Sequence, residues 1–293
     1  MRPSALPAAA LLFATLASAC GGGAALSTSP QPSATSARPA AATPLTPSPL
    51  GSAPPTVYIL GGSSARESIV GNTNLAAQIE RAGGPAVRVL DLGATNQSYF
   101  RDAALVRAMP AGPALVLIGV NPGRYTGSPP APVGGTAGSA AARAVLAGAG
   151  EVKHRYSASA ILSDDEKTAL AARWGAEREP LFDRNYAANA TELGRLVRLC
   201  RRRGFRPVLM ELPVDLEMAA DTFSRARARY RADCHRLAAR EDIPFLDFVV
   251  EAGLRNAEFY DLFHLVEPGR AKWQKLLTAE IVPLLREYRI GAD

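Results

Sequence analysis

The stretch Val57-Tyr58-Ile59-Leu60-Gly61-Gly62-Ser63-Ser64-Ala65-Arg66-Glu67 passes from a short apolar run through a glycine pair into residues that tolerate a helix. A run of that length closed by glycines reads as a buried strand feeding a sharp turn. The pattern recurs at Val87–Leu92, Ala114–Gly119, Val208–Leu212 and Phe245–Phe248, each bounded by Gly, Pro or Asp. Helical stripes separate these runs. Leu75, Ile79 and Ala82 share one face that stops at Gly83-Gly84, and Leu193, Leu196, Val197 and Cys200 share another that stops at Gly204. Phe223 to Arg240 is long and rich in Arg and Ala, and Trp273, Leu276, Leu277 and Ile281 mark a closing helix. Strands alternating with helices require parallel pairing. The expected fold is therefore α/β: a doubly wound, three-layer α/β/α sandwich around a five-stranded parallel sheet.

Upstream of this domain the chain changes character. Arg2, the apolar run Ala8 to Ala19 and the small-residue site Ala17-Ser18-Ala19 form the pattern of a signal peptide over residues 1–19, too short to span a bilayer. Cys20 follows directly, and with Leu16 nearby the segment resembles a bacterial lipobox, whose cysteine is lipidated. Membrane anchoring through a lipidated Cys20 is the preferred reading, with plain secretion or an uncleaved anchor as alternatives, and each places the domain outside the cytoplasm. Residues 20–55 are almost entirely Gly, Ala, Ser, Thr and Pro, which bury too little apolar surface to offset the entropy of ordering; they read as a tether. Residues 56–293 remain for one domain. Within it, 122–189 breaks the strand–helix rhythm and reads as an insertion or lid. Ser163-Asp164-Asp165-Glu166 inside it has capping-box spacing, so these acids are expected to start a helix. No internal repeat is present.

The formal charge is +6, with arginines gathered in 195–206 and 225–240. Solvated helix faces account for them, with attraction to anionic envelope polymers as the sharper reading. No aromatic interleaving or nucleic-acid motif accompanies them, which argues against DNA or RNA as a partner. Cys200 and Cys234 lie on separate expected helices, as two buried thiols or as a disulfide. His154 and His235 have no second ligand nearby, so no metal site is expected.

In an open parallel sheet, ligands sit beyond the C-terminal strand ends. Four such positions carry suitable chemistry. Gly61-Gly62-Ser63-Ser64 presents a hydroxyl at a helix N-terminus, where free N–H groups can stabilise an oxyanion. Gly93, after the second strand, and Asn121, after the third, offer a backbone N–H and a carboxamide that cannot ionise, although both residue types also simply favour turns. After the last strand, Asp261 and His264 stand three residues apart, a spacing that lets a carboxylate fix an imidazole tautomer and leave Nε2 free as a base.

Taken together and in this order, the four segments resemble the four blocks of the SGNH/GDSL hydrolase family, over roughly Thr56 to Leu285. The resemblance implies an SGNH-hydrolase or flavodoxin-like sheet and a serine esterase or acyltransferase that needs no cofactor. Ser63 would be the nucleophile, Asp261 and His264 its relay, and the Ser63 N–H, Gly93 and Asn121 its oxyanion hole. Gly62 stands where the family commonly has Asp, which leaves two registers: Gly61-Gly62-Ser63 selects Ser63, and Gly62-Ser63-Ser64 selects Ser64. Ser63, directly after the glycine pair, is the preferred choice. The location implies an acylated envelope carbohydrate or lipid as substrate. A non-catalytic, polymer-binding lipoprotein on the same scaffold is the alternative. A nucleotide-phosphate loop is disfavoured, because the glycine turn lacks both the Walker lysine and the G-x-G-x-x-G spacing.

Overall fold

The computed structural model describes residues 55–128 and 136–291. Residues 1–19, expected as a signal peptide, Cys20 and nearly all of the expected tether lie outside them. Five strands, β1 (Thr56–Leu60), β2 (Arg88–Asp91), β3 (Ala114–Val120), β4 (Arg206–Glu211) and β5 (Phe245–Leu246), form one sheet of order β2-β1-β3-β4-β5 in which every pairing is parallel. β1 and β3 are buried along their whole length, as strands covered on both faces must be.

The alternation of side chains along β1 sorts the helices into two layers. Val57 and Ile59 pack with Leu75 and Ile79 of α2 (Asn72–Arg81) and with Trp273, Leu277 and Ile281 of α8 (Glu267–Glu287). Tyr58 and Leu60 point the opposite way. They join Leu105 and Val106 of α3 (Tyr99–Ala108), Leu196 and Val197 of α6 (Glu179–Arg202) and Tyr230 and Leu237 of α7 (Leu216–Glu241). The result is the expected three-layer sandwich. The order 2-1-3-4-5 puts its switch point at β1 and β3, where connections leave toward opposite faces and a crevice opens past the strand ends.

The segment expected as an insertion is more regular than its composition suggests. It contains a 3-10 turn (Pro122–Tyr125), α4 (Thr136–Ala147), α5 (Asp164–Arg173) and a π turn (Trp174–Arg178) that leads straight into α6. Residues 179–189 are thus the first part of a long packed helix. Asn185 and Asn189 interrupt the apolar stripe there; both are buried and donate to the backbone carbonyls of Thr126, Tyr125 and Gly127. The capping box at α5 is formed as expected, with Glu166 N–H donating to Ser163 Oγ and Ser163 N–H to Glu166.

Cys200 and Cys234 are free, buried thiols, and burial pushes each up to about 12. The arginine-rich helices are laced by internal ion pairs: Arg198, Arg201 and Arg240 approach Glu241, Arg225 bridges Glu179 and Asp183, and Arg227 holds Glu211. Among the described residues, no helix is long and apolar enough to cross a membrane.

Candidate active site

Gly61 follows β1, at a place where any side chain would collide: a Cβ there would come within 2.6 Å of the Ala65 Cβ. The chain can therefore turn tightly into α1 (Ser63–Arg66), which starts at the switch point. Ser63 is half-buried at its first position, and its Oγ lies 2.8 Å from His264 Nε2. Ser64, one residue on, is buried and turned inward, its Oγ accepting from Asn121 Nδ2 at 3.3 Å. Of the two adjacent hydroxyls, only that of Ser63 meets the imidazole.

His264 sits on a loop closed by an antiparallel bridge between Phe259 and Leu265. Asp261 accepts from the backbone N–H groups of Phe263 (2.8 Å) and His264 (3.0 Å), and from His264 Nδ1 at 2.9 and 2.8 Å through its two oxygens. With Nδ1–H held by the carboxylate, Nε2 is the free base that accepts from Ser63. Burial pushes the Asp261 carboxyl up, but the hydrogen bond and charge of His264 and the two backbone donors outweigh it and hold the carboxyl below its ordinary value. The imidazole and carboxylate are 13% and 18% exposed, wet enough for a substrate to reach and dry enough for their pairing to be strong.

The residues expected to bind an oxyanion lie against the start of α1. Asn121 is buried at the end of β3, and its Oδ1 accepts from Arg124 N–H, which aims Nδ2 toward α1. One of its two N–H bonds reaches Ser64, and the other takes no partner among the described residues. Gly93 packs against the start of α1: a Cβ there would lie 2.8 Å from Arg66 N and 2.9 Å from Gly62 O. Its N–H is given to Asp91 Oδ1 at 2.7 Å. Burial pushes the Asp91 carboxyl up to about 7 against the Gly93 hydrogen bond and the Arg66 charge, and its second oxygen has no hydrogen-bond partner among the described residues. The Ser63 N–H, first in α1, takes no partner among the described residues.

Three residues at the site carry no local signature in the sequence. Glu67, fully buried four residues past Ser63, accepts from Arg66 Nε (3.0 Å), His154 Nδ1 (3.1 Å), Arg155 N–H (3.1 Å) and Arg270 Nη2 (2.7 Å). Burial pushes its carboxyl up, but these hydrogen bonds and the Arg270 charge prevail and hold it at about 2. His154, which has no second metal ligand nearby in the sequence, is thus spent on Glu67. Lys167 of α5 is fully buried and donates to Asn256 O (2.9 Å), Asn256 Oδ1 and Phe259 O (2.9 Å), pinning the loop that carries Asp261 and His264. Tyr156 lays its ring against His264, with centroids 4.5 Å apart. Among the described residues, no group of His, Cys, Asp and Glu could hold a metal ion.

No protein-family model and no curated protein matches the sequence. Among solved structures, the chain is similar to an acetylxylan esterase from Geobacillus stearothermophilus (14% identity, 82% of this chain and 95% of that one, TM-score 0.47). It is similar also to a GDSL-like lipase from Bacteroides thetaiotaomicron (11% identity, 79% and 89%, TM-score 0.42). A Bacillus subtilis protein is similar at 13% identity over 83% of this chain (TM-score 0.40), and the match spans only 59% of that protein's length. These are distant likenesses of fold.

Proposed function

We propose that the protein is a serine esterase of the SGNH type, acting outside the cytoplasm on an ester-linked acyl group of an envelope carbohydrate or lipid. The observation that carries this reading is the Ser63–His264–Asp261 relay, with 2.8 Å from Ser63 Oγ to His264 Nε2 and 2.8 Å from Nδ1 to the carboxylate. A hydroxyl, an imidazole and a carboxylate in that order serve acyl transfer; a polymer-binding surface has no use for it. The signal-peptide and lipobox patterns support the location.

In this mechanism Ser63 Oγ attacks the acyl carbonyl carbon while its proton passes to His264 Nε2, and Asp261 steadies the imidazolium. The carbonyl oxygen takes the negative charge and receives the Ser63 N–H and the second Asn121 N–H. Gly93 N–H joins them only when it leaves Asp91. Such donors are typically worth about 3 kcal/mol each in the transition state. Collapse expels the alcohol, which takes the proton from His264, and leaves an acyl-Ser63 ester. Water or a sugar hydroxyl then attacks that ester by the same steps in reverse, so hydrolysis and transfer use one set of residues.

Incubation with a fluorophosphonate probe and with p-nitrophenyl acetate tests this reading. Wild-type protein should label and turn over the ester. Ser63→Ala should lose labelling entirely and lower kcat by on the order of 10⁴-fold or more. Ser64→Ala should still label, because its oxygen faces Asn121 instead of the imidazole. Labelling that persists in Ser63→Ala and disappears in Ser64→Ala would reverse the assignment, and an unlabelled wild type would end the esterase reading.

A further inference from the structure

Tyr156 is where the insertion reaches the relay, and its place there is unusually well secured. Its ring centroid lies 4.5 Å from that of His264, with the planes inclined at 35°. Tyr260 stacks against the same tyrosine, at 4.4 Å and 27°. The Tyr156 carbonyl accepts from Arg270 Nη2 at 2.5 Å, and that nitrogen also donates to Glu67 Oε2 at 2.7 Å. The two residues before Tyr156 bond to Glu67 as well, through His154 Nδ1 and Arg155 N–H. A buried carboxylate next to the nucleophile turn thus determines where the tyrosine ring stands.

The consequence lies in the charge that His264 acquires. A base must start without the proton it will take, and beside that form Tyr156 is an apolar neighbour that a leucine could replace. During attack by Ser63 the imidazole takes a proton. Asp261 meets the new cation at Nδ1, and the Tyr156 ring lies close to the imidazole within the distance at which an aromatic π-system attracts a cation. That attraction is absent from the resting state and present once the proton has moved, so it lowers the barrier itself.

We propose that Tyr156 is a positioning residue that stabilises the protonated form of His264 during acyl transfer, and that Glu67, acting through Arg270, holds it in place. The proposal rests on the esterase reading above. It makes the segment around Tyr156 a wall of the site.

The test is the rate of fluorophosphonate labelling as a function of pH for wild type, Tyr156→Leu, Tyr156→Phe and Glu67→Gln. Labelling requires the Ser63 proton to move but no knowledge of the natural substrate. Leucine keeps the site dry and removes the π-face. Its plateau rate should fall roughly two- to fivefold, and its acidic limb should move down by about half a pH unit. Phenylalanine keeps the ring and should restore the limb to the wild-type position. Glu67→Gln should move the limb in the leucine direction; if that variant fails to fold, the Tyr156 pair decides. A limb that stays put in Tyr156→Leu, or moves equally in Tyr156→Phe, overturns the proposal while leaving the esterase reading standing. A wild type that does not label brings down both.

Discussion

Glu67 and Lys167 are fully buried charges of opposite sign, and each ties the segment between β3 and α6 to one half of the relay. Glu67 binds the stretch at 154–156 to the turn that carries Ser63. Lys167 binds α5 to the loop bearing Asp261 and His264. Their surroundings differ sharply. Glu67 is surrounded by donors, two of them guanidinium groups, and its charge is strongly favoured. Lys167 is held mainly by neutral oxygens, and its nearest carboxylate, Asp215, stands 3.7 Å away with one oxygen lacking a hydrogen-bond partner. Burial therefore dominates at Lys167 and pulls the ammonium below its ordinary value, in spite of Asp215. A buried charge contributes stability when its partners compensate desolvation; when they do not, it secures geometry at a cost.

That contrast can be broken by substitution. Glu67→Met would strand Arg66 and Arg270 and should destabilise the fold by about 3–5 kcal/mol in chemical denaturation. Lys167→Met removes its own desolvation cost along with its bonds, and should lose only about 1–3 kcal/mol, chiefly for the carbonyls left unpaired. A Lys167→Met variant that loses more than Glu67→Met would show that the two sites had been ranked wrongly.

Acid sharpens the comparison. The folded-state value of Glu67, about 2, lies below the ordinary carboxylate value of 4.5. Its contribution is complete above 4.5 and is lost as pH falls toward 2, because the unfolded chain takes up the proton first. Lys167 has the opposite balance at neutral pH: its folded-state value is lowered, so the penalty it imposes is relieved as pH rises toward 10.5. Thermal melts from pH 5 to pH 2 should fall more steeply for wild type than for Glu67→Gln, whereas Lys167→Met should leave that slope unchanged. Parallel acid slopes for wild type and Glu67→Gln would contradict the assignment. The smallest effect expected is at the helix that carries Lys167: Ser163→Ala breaks the capping box and should cost about 1 kcal/mol, measured in the same denaturation series.

The features legible in the sequence are those with a short-range signature. Apolar runs closed by Gly or Pro located every strand to within about two residues, because a strand buried on both faces must be apolar throughout. Asp261 and His264 were legible because their pairing is local, within one loop. Glu67, Lys167 and Tyr156 were not. The partners of Glu67 at Arg155 and Arg270 are 88 and 203 residues away, and Lys167 meets Phe259 across 92, separations at which no spacing rule operates. The start of α6 was hidden for a related reason: Asn185 and Asn189 occupy its buried stripe, satisfied by carbonyls of a distant turn.

The two serines after Gly62 mark the boundary between these kinds of information. Composition and periodicity establish the layered parallel fold, the strand end where a hydroxyl is presented, and the loop that supplies an imidazole and its carboxylate. They leave two registers open for the chemically identical, adjacent Ser63 and Ser64, and favour Ser63 only for its place directly after the glycine pair. Successive residues of a helix point about 100° apart, so packing α1 against the sheet turns one hydroxyl inward to Asn121 and leaves the other facing His264, 201 positions along the chain. That choice belongs to long-range packing, because the orientation of a side chain depends on how its helix is docked.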